Sequence, residues 1–442
     1  MQFSFKTHLF LTLYRVLWLL ALPVALLRLW LKGRKLPAYR SHIGERLGCY
    51  AAPITSRPVW VHAVSVGETR AAEPLVRGLL ALDQKVLLTH MTPTGRATGA
   101  EIFAAEIAAG RVQQVYLAYD SLFTLPRFFK FIRPKIGLIM ETEVWPEMLV
   151  QAKRFGIPMF LSNARLSDKS AKRFRFFGNI ASEILKSFDT IFAQTQHDLR
   201  NLRSLGLDRI KVMGNMKFDV KPNKDMIESA IQVRQALGEP LLIICAASTR
   251  DEEEAMILKA WQQCCQQMGS QASSYRLLIV PRHPQRFDLV YEQMQALGDS
   301  VGRRADAKDN YALAQVLESH RLVLGNTMGE MALYYGIADL VIMGGTLKPH
   351  GGQNFIEAAA LAKPVILGPH CFNFQEASRD LIAAEGAVSL ENPEDLGMAL
   401  YELLQNPQRL EKLGSNAFEF ANQHIGASQK TLDALSSYLK QN

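Results

Sequence analysis

Carboxylates, cations and small-residue turns recur in this chain just beyond apolar runs. In V-W-V-H-A-V-S-V-G-E-T-R, residues 59–70, a β-type run closes at Ser65, Gly67 allows a tight turn, and Glu68 stands at the mouth of the next helix. A carboxylate at a strand's carboxyl end is well placed to act as a general base. Ser65 and Glu68 also have the S-x-x-E spacing of a capping box, and spacing alone favours that non-catalytic role. In M-E-T-E-V-W-P-E, residues 140–147, Glu141 and Glu143 follow another strand. Two carboxylates so close are costly to bury unpaired, so they face water or hold a cation. Thr92, Thr94 and Gly95 in H-M-T-P-T-G-R either present hydroxyls and amides to an anionic acceptor or cap a helix. S-N-A-R-L-S puts Asn163 and Arg165 at a further strand end, and G-N-M-K-F-D offers Lys217 as a surface charge or a phosphate-binding cation.

The second half is richer in anion-binding signals. I-V-P-R-H-P-Q-R-F, residues 279–287, ends a strand with Arg282 and Arg286. G-N-T-M-G-E-M-A, residues 325–332, and G-G-Q-N-F-I-E-A-A-A, residues 351–360, each run from a glycine-containing loop into a helix. Amides at such helix starts bind phosphate, and Glu330 or Glu357 can accept from ribose hydroxyls. Two such loops beside an arginine suggest a nucleotide pocket.

The elements that must position these residues are alternating short strands and helices. In the first half the strands are expected at 59–65, 86–92, 114–118, 136–140, 159–162, 190–194 and 212–214, with helices such as 71–82 and 95–109 between them. The pattern breaks in the polar stretch 217–224, then resumes with strands at 241–246, 277–280, 322–324, 340–343 and 365–367, followed by helices from Pro393 onward. Repeated βα units imply parallel sheets covered by helices on both faces. The expected architecture is α/β, with two doubly wound domains and a cleft between them as the default site. No Walker or G-x-G-x-x-G motif occurs, which disfavours P-loop enzymes and dehydrogenases. A length of 442 residues suits two domains, and 48% hydrophobic with 21% charged content excludes disorder over most of the chain. The formal charge of +8 points to an acidic partner, whether nucleic acid, anionic lipid or a phosphorylated substrate. Five cysteines without a C-x-x-C pair indicate neither a disulfide framework nor a zinc site, and favour a reducing cytosol.

Residues 8–31 are dense in Leu, Val, Ala and Trp. Arg15 and Arg28 leave an uncharged core of about a dozen residues, short of the ~20 needed to span a bilayer, and both are expected to snorkel to the interface. Lys32, Arg34, Lys35 and Arg40 follow, so positive-inside logic keeps the large C-terminal part in the cytosol. The segment reads either as a membrane anchor or as a buried or interfacial amphipathic helix. Two basic–aromatic stretches, 127–133 and 169–177, suit contact with anionic headgroups, or are helix faces with their own apolar stripes.

Taken in order, H-A-V-S-V-G-E (62–68), E-T-E-V-W-P (141–146), N-A-R-L-S (163–167), G-N-M-K-F-D (214–219), P-R-H-P (281–284), N-T-M-G-E (326–330), G-G-Q-N-F-I-E-A (351–358) and G-P-H-C-F-N-F (368–374) closely resemble the 3-deoxy-D-manno-octulosonic acid (Kdo) transferases acting on the lipid A precursor. The resemblance implies a GT-B fold: a membrane anchor over 1–34, an acceptor domain over 35–220 and a CMP-sugar domain over 221–442, whose last helices can pack back on the acceptor domain. It implies CMP-Kdo as donor substrate and lipid IVA as acceptor, at the cytoplasmic face of an inner membrane with anionic lipids. No nucleic acid, cofactor or bound metal is expected. Glu68 becomes the general base, and Glu141 and Lys217 the transition-state stabilisers. CMP is assigned to Pro281 and Arg282, to Met328, Gly329 and Glu330, and to Asn354, Phe355, Ile356 and Glu357. The family usually has histidine where this chain has Gln353, which cannot carry a charge. A GT-B enzyme or epimerase using a UDP-sugar is the alternative.

Overall fold

A computed structural model describes residues 3–51 and 57–440; the side chain of Lys35 lies outside the described set. The chain forms two compact units, Met1–Val220 with Ile425–Asn442, and Lys221–His424.

The first unit is built on seven strands: β1 (Val59–His62), β2 (Val86–His90), β3 (Val112–Tyr116), β4 (Ile136–Met140), β5 (Met159–Ala164), β6 (Thr190–Ala193) and β7 (Ile210–Val212). They lie in the order β3-β2-β1-β4-β5-β6-β7 and every pairing is parallel. β1 and β4 read V-W-V-H and I-G-L-I-M and are buried throughout, as strands covered on both faces must be. The expected helix over 95–109 is broken at Phe103, whose φ of −112° and ψ of 26° let its ring enter the core between helices Pro93–Ile102 and Ala104–Ala108.

The second unit repeats the plan with β8 (Leu242–Thr249), β9 (Tyr275–Pro281), β10 (Val301–Arg303), β11 (Leu322–Leu324), β12 (Leu340–Met343), β13 (Val365–Leu367) and β14 (Ala387–Ser389). The order is β10-β11-β9-β8-β12-β13-β14, again all parallel. Sequence reading missed β10 and β14. Both are three-residue edge strands, V-G-R and A-V-S, too short and too polar to show an apolar run.

Both doubly wound sheets change direction once, between β1 and β4 in the first unit and between β8 and β12 in the second. Crevices at the carboxyl ends of such neighbouring strands are where open α/β sheets bind ligands.

The segment 127–133 corrects one expectation. Helix Leu125–Ile132 buries Leu125, Phe128, Phe129 and Ile132, and the Phe128 and Phe129 rings pack 4.9 and 5.7 Å from Trp60. Their i, i+3, i+4, i+7 spacing makes them core, with only the basic side chains turned to solvent. The second stretch differs: in helix Asp168–Phe176 and just beyond it, Phe176 is 87% and Phe177 49% exposed.

Candidate active site

The V-S-V-G-E turn leaves β1 and enters helix Val66–Ala81 with Ser65 as N-cap. The Glu68 amide donates to Ser65 Oγ at 3.5 Å, the Ser65 hydroxyl donates to Glu68 Oε1 at 3.3 Å, and the Val64 amide donates to Glu68 Oε2 at 2.7 Å. Glu68 therefore does serve the local turn. It is only half-buried, and each carboxylate oxygen keeps a lone pair beyond its single local bond. Burial pushes its pKa up to about 7; the Glu141 and Glu143 charges push the same way, against the Val64 amide and Ser65. Three carboxylates thus share one field, where β1 and β4 end side by side.

Glu141 is held in the left-handed region, at φ 56°, directly after β4, and Asn163 at φ 53° near the end of β5. Such strain costs about 1–3 kcal/mol per residue and clusters at functional sites. Glu141 Oε1 lies 3.0 Å from Lys217 Nζ. Lys217 sits in the short 3-10 turn Met216–Asp219, which is pinned twice: the Met216 amide donates to Asn163 Oδ1 at 3.0 Å and the Lys217 amide to Asn215 Oδ1 at 3.0 Å. Asn163 is thus a positioning residue for Lys217. Glu143 accepts from Trp145 Nε1 at 2.8 Å, and burial raises its pKa. Thr92 caps Gly95 and also donates to Val64 O at 2.9 Å, bracing the Glu68 turn from β2.

Behind this cluster lies a network that sequence reading missed. Asp120 accepts from the amides of Glu147 and Met148 at 3.1 and 2.7 Å, and from the Tyr14 hydroxyl at 2.6 Å. Glu147, fully buried, pairs with Arg15 Nε at 2.7 Å and accepts from Gln151 at 2.6 Å. Arg15 is therefore tied to the folded unit. Nothing in local spacing links residues 132 positions apart.

In the second unit each assigned nucleotide residue lies at the carboxyl end of a strand. Arg282 follows β9 and is exposed, and its amide donates to Thr249 O at 3.0 Å. His283 beside it has its pKa lowered, first by burial and then by Arg250 and Arg282, against Asp251; Arg286 is itself paired with Asp251 and Glu254. Met328 and Gly329 are exposed beyond β11, while Glu330 is bound by Arg304 at 2.9 Å and by the Thr327 hydroxyl. Beyond β12, Gly351 has φ 92°, and a Cβ there would come within 2.4 Å of Asn373 and Phe372, so only glycine fits. Asn354 Nδ2 donates to Glu357 Oε1 at 2.9 Å; Phe355 and Ile356 are buried beneath them. The helices that follow are short, Met331–Ile337 and Ile356–Ala359, so little dipole accumulates at their starts. Glu253, another residue missed in sequence, is fully buried and gathers the amides of Arg250, Gly345, Leu347 and Lys348, fixing the loop after β12.

A family model described as 3-Deoxy-D-manno-octulosonic-acid transferase (kdotransferase) matches residues 41–220. The chain is 40% identical over 396 residues to a 3-deoxy-D-manno-octulosonic acid transferase of Bordetella pertussis, covering 89% of this chain and 90% of that protein. It is 33% identical over 436 residues to the Haemophilus influenzae protein of the same description, covering 97% and 99%. Among solved structures, a glycosyltransferase from Rickettsia africae aligns with TM-score 0.57 at 13% identity, over 88% of this chain and all of that one (100%), a likeness of fold alone. With two near-full-length relatives of one description, the chain belongs to the 3-deoxy-D-manno-octulosonic acid transferase family.

Proposed function

We propose that this Kdo transferase moves Kdo from CMP-Kdo to lipid IVA with inversion at the anomeric carbon, at the cytoplasmic face of the inner membrane. The observation that carries the reading is Glu68: a half-buried carboxylate with its pKa raised to about 7, beside the Glu141–Lys217 pair. A base poised near the operating pH is the most effective proton acceptor. Glu68 takes the proton of the acceptor hydroxyl. The freed oxygen forms its bond to the anomeric carbon from the face opposite the nucleotide, and the anomeric carbon–oxygen bond breaks with its electron pair going to CMP. The leaving phosphate is already ionised, so positive charge serves it better than a proton donor. Lys217 and Arg282 are the cations assigned to this task. Pro281, Met328, Gly329 and the 354–357 turn are assigned to holding CMP, with Glu330 and Glu357 accepting from ribose hydroxyls. No step calls on a bound divalent cation, so EDTA should leave the rate unchanged.

The decisive experiment incubates purified protein with CMP-Kdo and lipid IVA and weighs the products. Mass increments of Kdo on the acceptor, inhibited by CMP and not by UDP, are expected; inhibition by UDP alone would replace the donor assignment. In the same assay Lys217→Met should lower kcat by roughly 10²–10³, the scale for removing a preorganised charge-stabilising group. Near-normal kcat in a folded Lys217→Met protein would remove that residue from the mechanism.

A further inference from the structure

We infer that the N-terminal helix does not cross the membrane but lies in its plane, docked lengthwise on the first unit with only its outer face in lipid. Helix α1 (Phe5–Lys35) is long and apolar enough to span by length and composition. Its contacts point to a different placement. Thr7, Leu11 and Leu29 are buried against the unit, and Tyr14, Arg15 and Trp18 are half-buried on the same face. Their spacing is the i, i+3/i+4 stripe of a helix lying along a surface. The opposite face, including Leu9, Leu13, Leu20, Val24 and Leu27, is exposed and apolar.

The contacts run along the helix. The Ser4 amide donates to Glu183 Oε2 at 2.8 Å, the Trp18 ring lies 5.7 Å from that of Tyr119, and the Arg28 charge acts on the same Tyr119 phenol. A helix that meets one folded unit at Ser4, Arg15, Trp18 and Arg28 lies along that unit for about 36 Å, which leaves no room for a bilayer across that stretch. The middle is locked as well. Moving Arg15 into hydrocarbon would place a guanidinium in lipid and leave Glu147 buried without its cation, two unfavourable changes at once. The exposed Phe176, flanked by Lys172, Arg173 and Arg175, extends this surface, since Phe177 next to it lies 6.2 Å from Phe10 of the helix. Apolar side chains rimmed by cations match an anionic leaflet.

The inference rests on the membrane association proposed above, and one labelling experiment separates the two. A Ser4→Cys chain, with exposed Cys49 changed to Ser, is treated with a membrane-impermeant maleimide. Intact cells with permeabilised outer membranes are compared with inverted inner-membrane vesicles, and labelled peptides are mapped. Residue 4 should be labelled only in inverted vesicles. Labelling from outside would overturn the in-plane placement while leaving membrane association intact, whereas a chain recovered wholly in the soluble fraction would overturn both. Arg15→Leu provides a second measurement: a docked helix predicts a melting temperature lowered on the order of 10 °C, recovered in the Arg15→Leu/Glu147→Leu double variant. An Arg15→Leu protein as stable as the parent would refute the docking.

Discussion

At the scale of single residues, Glu68 combines two roles that sequence spacing set against each other. It closes the turn through Val64 and Ser65, and its carboxylate is held near pKa 7 by burial among like charges. The pH dependence follows. As a base it works ionised, so kcat/KM should rise as pH increases through about 7, and Glu68→Gln should abolish that limb together with the activity. Stability should move the opposite way. A folded-state pKa raised above the unfolded value gives stability fully present below pH about 4.5 and lost as pH rises through about 7. Glu68→Gln keeps an acceptor for the Val64 amide without the charge. It should therefore raise stability above pH 7, by on the order of 1 kcal/mol after allowance for water, and change little below pH 4.5. Thermal melts at pH 4 and pH 8 test the sign. A Gln variant less stable at pH 8 would show that the cap outweighs the strain of the charge.

At the scale of elements, helix periodicity decides which aromatic residues are free to meet lipid. Sequence composition alone gave stretches 127–133 and 169–177 the same reading, because clustering of Phe with Arg and Lys carries no direction. Phase carries it: Phe128 and Phe129 fall on the Leu125–Ile132 stripe and pack tilted and edge-on against Trp60, whereas Phe176 falls off any stripe. Loss of Phe176 and Phe177 to Ser should weaken partition onto anionic vesicles by about tenfold or more, from the apolar area withdrawn. Lys130→Gln with Arg133→Gln should change it far less. Equal loss in a sedimentation assay would return the first helix to the membrane surface. The same distinction explains what else was legible. Buried parallel strands such as β1, β4 and β12 announce themselves as apolar runs, and the loops that follow them carry Glu68, Glu141 and Gly351–Glu357. The edge strands β10 and β14 have almost no run to read. The Arg15–Glu147 pair and the Asn163 clamp on Met216 join positions far apart in sequence, so only the fold brings them together.

At the scale of the whole molecule, the first unit is completed by the far end of the chain. Helix Ala427–Leu439 buries Leu432, Leu435 and Leu439 in the same core cluster as Leu75, Val76 and Leu79 of the Val66–Ala81 helix. The approach is close enough that a Cβ on Gly78 would lie 2.3 Å from Leu432 Cδ1. Asp219 receives the amides of Gly426 and Ser428 at 2.6 Å each, fastening the start of this helix to the turn that carries Lys217. The terminal helix therefore packs on the helix that Glu68 opens and grips the turn that holds its cationic neighbour. Ending the chain at His424 would expose three buried leucines on the first unit, about 1.5–3 kcal/mol each, against a typical net stability of 5–15 kcal/mol. Calorimetry of the truncated chain should show the first unit's transition lost or moved far down, with that of the second unit retained. Asp219→Asn is the finer probe. It keeps an acceptor but removes the charge at the helix start, so it should cost on the order of 1 kcal/mol in stability and lower kcat more than KM by loosening the Lys217 turn. A truncated chain with both transitions unchanged would mean that the returning helix is dispensable for the unit it completes.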